Sequence, residues 1–119
     1  MTTKPFRPAR IAELLREEIS EIITYELNDR RIRPVTITHV KVSSDMRHAR
    51  VYVSLLGSRQ EIDETIRQLN HAAGFIRSQL YPRLTMRFIP QLTFHFDDSL
   101  EKAERLEKLF AELDNSRQQ

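Results

Sequence analysis

Apolar residues along this chain repeat with two different periods, and the switches between them lay out a fold. Ile11, Leu14, Leu15, Ile19, Ile22, Ile23 and Leu27 recur at helical intervals. Pro8 suits the first turn of that helix. The run from Asn28 through Asp29 to Arg33-Pro34 ends it near Leu27, because proline disfavours helix in the residue before it. Val35 to Ser43 is β-branched and predicts a strand, with Val35 and Ile37 in one phase and Val40 and Val42 in the other. A phase slip near His39 is what a β-bulge produces. Ser43-Ser44-Asp45 begins a polar turn, and Val51, Val53 and Leu55 place a second strand at Arg50–Leu56. The two strands read as a hairpin, closed by Gly57-Ser58.

Helical spacing then returns. Ile62, Ile66, Leu69, Ala73, Ile76 and Leu80 form one stripe over residues 60–80, stopped by Tyr81-Pro82. Gly74 interrupts it without a loss of phase, although an interior glycine costs a helix roughly 1 kcal/mol relative to alanine. The reading is a helix–kink–helix with the bend at Ala72, Ala73 and Gly74. Its glycine is expected either at positive φ or close to a ligand. Thr85 to Phe96 alternates as a third strand, with Met86, Phe88, Leu92, Phe94 and Phe96 on one face and Ile89 among the polar residues of the other. Pro90 marks an edge position or a bulge, and the apolar face of this segment is expected at the centre of the sheet. Asp98 and Glu101 resemble a capping box. They open a last helix that should bury Leu106, Phe110 and Leu113.

The expected fold class is therefore α+β, with a three-stranded sheet covered on one face by helices. Residues 1–7 read as a flexible basic arm, 8–113 as a single domain and 114–119 as a polar tail. A chain of 119 residues carries one modest core. With 30% charged and 39% apolar residues it has an ordinary globular composition. It has no apolar run of membrane-spanning length, and with no hydrophobic segment behind the basic start no signal peptide is expected. It has no cysteine, hence no disulfides and no thiolate chemistry, which fits the cytoplasm.

Charge is unevenly placed behind a net +2. From Arg30 to Phe96 there are eleven Arg or Lys against Asp45, Glu61, Asp63 and Glu64, and no acid at all lies between Thr65 and Phe96. From Asp97 onward seven acids face four bases. Clustered basic charge on a small domain suits a nucleic-acid binder, and equally a solvated face. Arg77, Arg83 and Arg87 lie near the kink, Lys41, Arg47 and Arg50 on the hairpin, and Arg30, Arg31 and Arg33 in a separate cluster. These nine are the candidate phosphate contacts.

Catalysis finds no support. Gly57 and Gly74 are isolated and form no phosphate loop, and the four histidines show no paired ligand spacing. Asp97-Asp98 reads as helix capping. No catalytic residue, metal, cofactor, membrane or small-molecule substrate is expected.

The order α-β-β-α-α-β is that of the type II KH domain, whose central helices flank a GxxG loop that clamps a nucleic-acid backbone. Here that site reads Asn70-His71-Ala72-Ala73-Gly74-Phe75, with a single glycine, so the clamp should be absent. Ser43–Leu56, Ala72–Leu80, Pro90–Leu100 and the basic opening Arg7–Leu15 resemble the bacterial ribosome-binding factor A family, whose KH-like domain carries an Ala-x-Gly kink instead of GxxG. The resemblance runs from about Phe6 to Leu113. It implies a monomeric cytoplasmic factor that binds the free, immature small ribosomal subunit. There it would assist late maturation and processing of small-subunit rRNA, often mattering most in the cold. Two other readings stay open: a ribosome-associated stress or silencing factor, and a protein-interaction module docking through the acidic last helix.

Overall fold

A computed structural model describes residues 8–117, arranged as α1 (Pro8–Tyr25), β1 (Thr36–Val42), β2 (His48–Ser54), α2 (Arg59–His71), α3 (Ala73–Leu80), β3 (Gln91–Phe96) and α4 (Ser99–Arg117). The basic arm expected at residues 1–7 lies outside the described residues, as do the last two residues of the polar tail. The rest of that tail, from Asp114 to Arg117, continues α4.

The sheet order is β1-β2-β3. β1 and β2 pair antiparallel, with Val40 opposite Val51 and Val42 opposite Ala49. The register shifts between Ile37 and His39, so the anticipated bulge falls on Thr38. β3 pairs parallel to β2, with Ala49 beside Leu92 and Val51 beside Phe94. A parallel neighbour needs a long crossover, which α2 and α3 supply. The centre of the sheet is therefore β2, and the Met86–Phe96 segment expected there lies at an edge. β2 begins and ends two residues earlier than expected, and its Ala49, Val51 and Val53 are fully buried. The turn at Ser43–Arg47 closes the hairpin, with Met46 at φ 60°. Gly57-Ser58 does something else. Ser58 caps α2 in a reciprocal box with Glu61. Gly57 sits at φ +155°, where a Cβ would meet Arg33 Nε at 3.1 Å.

One stripe from each of α1, α2 and α3 faces this sheet: Ile11, Leu15, Ile19 and Ile22 on α1, Ile62 and Leu69 on α2, Ile76 and Leu80 on α3. The break between α2 and α3 falls at Ala72, whose φ −85° and ψ −2° place it in the bridge region. Its N–H still reaches Gln68 and its carbonyl accepts from Ile76, so the interruption is one residue long and forms no loop. Gly74 lies inside α3, away from positive φ, and a Cβ there would meet nothing within 4 Å. The glycine expected to set the bend does not set it.

The third strand is half the expected length, for reasons that lie in side chains. Pro90 has no N–H for a ladder. The backbone of Ile89 is instead held by Arg77, whose Nε donates to the Ile89 carbonyl at 2.8 Å, and by Tyr81, whose hydroxyl accepts from the Ile89 N–H at 3.4 Å. That turns Ile89 fully into the core and leaves Phe88 49% exposed, the reverse of the alternation read from sequence. The outer edge of β3 is covered by one side chain. The Asn70 amide donates to the Phe94 carbonyl at 3.0 Å and accepts from the Phe94 N–H at 2.8 Å, as a neighbouring strand would.

α4 overturns the expected packing. All of its residues from Ser99 to Ser116 are exposed, including Leu106 at 52% and Phe110 at 58%. Its start is fastened by Asp97, which accepts from the Ser99 N–H at 3.0 Å, rather than by the anticipated Asp98–Glu101 box.

Gly74→Ala should therefore stabilise the domain by about 0.4–1 kcal/mol, read from thermal unfolding. Gly57→Ala should destabilise it by at least about 1 kcal/mol. Removing residues 101–119 should leave the unfolding midpoint close to that of the whole chain, since no buried apolar surface goes with them. Asn70→Ala should cost about 1–2 kcal/mol, because it leaves both backbone groups of Phe94 unpaired at a partly buried edge.

Candidate nucleic-acid interface

The nine candidate cations divide by what already holds them. Arg83 is the most committed. From the turn after α3 its guanidinium lies 3.2 Å from Glu18, 3.6 Å from Glu21 and 3.6 Å from Glu26, and only a quarter of its side chain is exposed. It ties the end of α3 to α1, and its charge is neutralised there. Arg77 is committed through geometry. Besides its bond to Ile89, its guanidinium lies over the Phe88 ring at 5.1 Å and the Tyr81 ring at 5.8 Å. Such cation–π contacts hold the 81–90 segment against α3. Arg87, on the same segment, is exposed and carries no ion pair among the described residues.

The loop before β1 is built on α2. Buried Thr65 accepts from the Arg33 N–H at 3.3 Å, and Arg33 Nε donates to the Leu56 carbonyl at 2.9 Å. The Arg33 guanidinium meets Glu61 at 2.5 Å, and Arg31 forms a two-point pair with Asp29. The hydrogen bonds of the Ser58 cap, with Arg33 beside them, lower the Glu61 pKa, and the Arg31 bonds lower that of Asp29. Arg30, Arg31 and Arg33 line one shallow concavity together with Glu61 and Glu64, so acids dilute this cluster. Only Arg30 there lacks an ion pair among the described residues.

On the hairpin the picture is cleaner. Lys41 and Arg50 stand opposite each other in the β1–β2 register, both exposed and neither in an ion pair among the described residues. Arg47, at the turn, lines a concavity with Asp45, His48, Phe88 and Gln91. The fold thus brings Arg47 beside the segment carrying Arg87, joining the first two clusters at one corner. Arg83 and the Arg30–Arg33 loop are not part of that corner.

One group escaped the sequence reading. His39, Tyr52 and His95 fall in one register row across all three strands, on the face opposite the helices. Their ring centroids are 5.4 Å apart at each step. A signal existed: Tyr52 and His95 alternate with buried Val51, Val53 and Phe94, which places them on the other face. Strand pairing was needed to align them.

Among the described residues no group of His, Cys, Asp or Glu could hold a metal ion. None of the described helices is long and apolar enough to cross a membrane.

An α-β-β-α-α-β domain whose helices break at a single residue defines a KH-like domain without the two-glycine clamp. The chain belongs to the ribosome-binding factor A family, whose model matches residues 7–110. It is 46% identical over 113 residues to ribosome-binding factor A of Thermomicrobium roseum, covering 95% of this chain and 88% of the relative. The crystal structure of ribosome-binding factor A from Thermus thermophilus superposes with a TM-score of 0.66 at 27% identity, over 76% of this chain and 96% of that one. A homology model of the Thermus thermophilus protein, fitted into a cryo-EM map of a 30S–RbfA complex, matches with a TM-score of 0.61 at 26% identity, over 73% and 91%.

Arg77→Ala should destabilise the domain by about 1–2 kcal/mol, since it orphans the Ile89 carbonyl and removes two ring contacts. Arg83→Ala should cost less than about 1 kcal/mol, and less still at high salt, because its pairs are partly exposed. Asp97 gives a pH test. Hydrogen bonds from the Ser99 and Thr38 hydroxyls and the Ser99 N–H lower its pKa to about 2. A depressed folded-state pKa contributes stability above the ordinary value of 3.8, which is lost as pH falls toward about 2. The stability difference between wild type and Asp97→Asn should hold at about pH 5 and shrink through that window.

Proposed function

We propose that this chain is a noncatalytic, cytoplasmic RNA-binding factor that associates with the free, immature small ribosomal subunit and assists late maturation and processing of its rRNA. The observation that carries this reading is the family match across nearly the whole chain, joined to a relative of the same fold fitted into a 30S complex. The charge supports it. Lys41, Arg47, Arg50, Arg87 and Arg30 are exposed cations available to phosphates, whereas Arg31, Arg33, Arg77 and Arg83 serve first to hold the loops that present them. Contacts of this kind position a protein on RNA without reading sequence.

The exposed apolar stripe of α4 favours a second reading, in which that helix docks a protein partner. RNase treatment separates the two, since docking through α4 would survive it. A stress or silencing factor would prefer mature subunits, so affinity for mature and immature particles is the deciding comparison. Tighter binding to immature subunits is expected, and equal or tighter binding to mature ones overturns the maturation role. Affinity should also fall steeply with salt. Replacing Lys41 and Arg50 with Ala should flatten the slope of log affinity against log salt by roughly 0.7 for each phosphate that is no longer neutralised. An unchanged slope removes the hairpin from the interface.

A further inference from the structure

The face of the sheet that none of the described helices covers has a chemistry of its own. None of the three strands contains an acidic residue. In one row across them stand His39, Tyr52 and His95, and in the next stand Lys41, Arg50 and Thr93. The rows are two residues apart along each strand, roughly 7 Å. The rings are inclined to one another by 50° and 33°, so they do not close into a face-to-face stack, and His39 and His95 are exposed with Tyr52 half-buried between them. His95 is steadied by Thr93, whose hydroxyl lies 2.9 Å from Nε2. Beside the ring row a concavity of about 400 Å³ is lined by His39, Tyr52 and Phe96 together with Asp97 and Asp98. Those carboxylates are engaged: Asp97 by Thr38 at 2.6 Å and by Ser99, Asp98 by Lys102 at 3.4 Å.

From this arrangement we infer that the open sheet face is a stacking platform for single-stranded RNA. Bases lie on the His39–Tyr52–His95 row, and the backbone runs along Lys41 and Arg50. The assignment rests on the RNA-binding reading above and extends its Lys41 and Arg50 contacts across the open face, on the side of the sheet away from the helix break. Charge fixes the direction. Phosphates are drawn to Lys41 and Arg50 and repelled by Asp97, whose hydroxyl partners leave its charge in place, so the strand's backbone keeps to one side of the rings and its bases reach across them. Aromatic rings accept any base, because every base has a π-face, and stacking of this kind is tolerant of sequence. The platform therefore binds single strands without selecting one base.

The test uses the full chain and a short oligoadenylate RNA at low salt. Tyr52→Ala should weaken binding at least about fivefold, while Tyr52→Phe keeps it. The salt slope should stay the same in Tyr52→Ala, since no charge is removed, and should flatten in Lys41→Ala/Arg50→Ala. A measurement on the wild type guards against a misfolded variant. On adding the RNA, the imidazole ring protons of His39 and His95 should shift in the NMR spectrum, while those of His71, on α2, should not. Unmoved His39 and His95 signals, or Tyr52→Ala binding as tightly as wild type, overturn the platform. If Tyr52→Ala loses small subunits while the oligonucleotide leaves the rings unmoved, the face meets ribosomal protein and the inference also fails. Wild-type binding to small subunits, measured alongside, reports separately on the broader function: its loss overturns that reading, and its persistence beside a negative oligonucleotide result overturns only the platform.

Discussion

A three-stranded sheet has two faces, and the described helices that pack on this one, α1, α2 and α3, all lie on the same face. That asymmetry governs the rest of the molecule. The covered face must take every apolar side chain the strands can offer, which is why Ala49, Val51 and Val53 of the central strand are fully buried beneath α1 and the α2–α3 pair. The period of two then sends the intervening residues to water. Tyr52, Arg50 and His39 are where they are because Val51, Val53 and Val40 are where they are. A slip of one residue in any strand would exchange the two sets, so burial of the core also fixes the composition of the open face.

The polar bonds that hold the loops are as consequential as the core. Arg77 replaces a missing strand partner for Ile89, Asn70 substitutes for a whole neighbouring strand along Phe94, and Thr65 anchors the segment before β1. Each is a side chain satisfying backbone groups that a longer sheet would have satisfied by its ladder. This is also why the basic residues are not equivalent. An arginine that saturates a carbonyl or three carboxylates contributes to the fold first, and only the remaining cations carry charge that an external phosphate finds uncompensated. Clustered positive charge in a sequence therefore overstates the positive charge a surface displays.

The element order, the bulge near His39, the helical stripes on both sides of the break and the absence of a two-glycine loop were all legible in the chain, because each depends on residues close together in sequence. So was the family, through motifs that are contiguous segments. The errors share a different cause. Met86 to Phe96 alternates like one long strand, yet Pro90 and the distant Arg77 side chain cut it to Gln91–Phe96 and turn Ile89 inward. Leu106, Phe110 and Leu113 have the spacing of a buried stripe, but periodicity says only that a helix has an apolar side, not that another element lies against it. Gly74 drew attention as the odd residue in a helix, whereas the break falls at Ala72, whose backbone conformation is open to any residue. Which arginines are engaged internally, and which three rings align across three strands, follow from strand order and register. Those depend on pairings between residues up to tens of positions apart, and only the folded structure decides them.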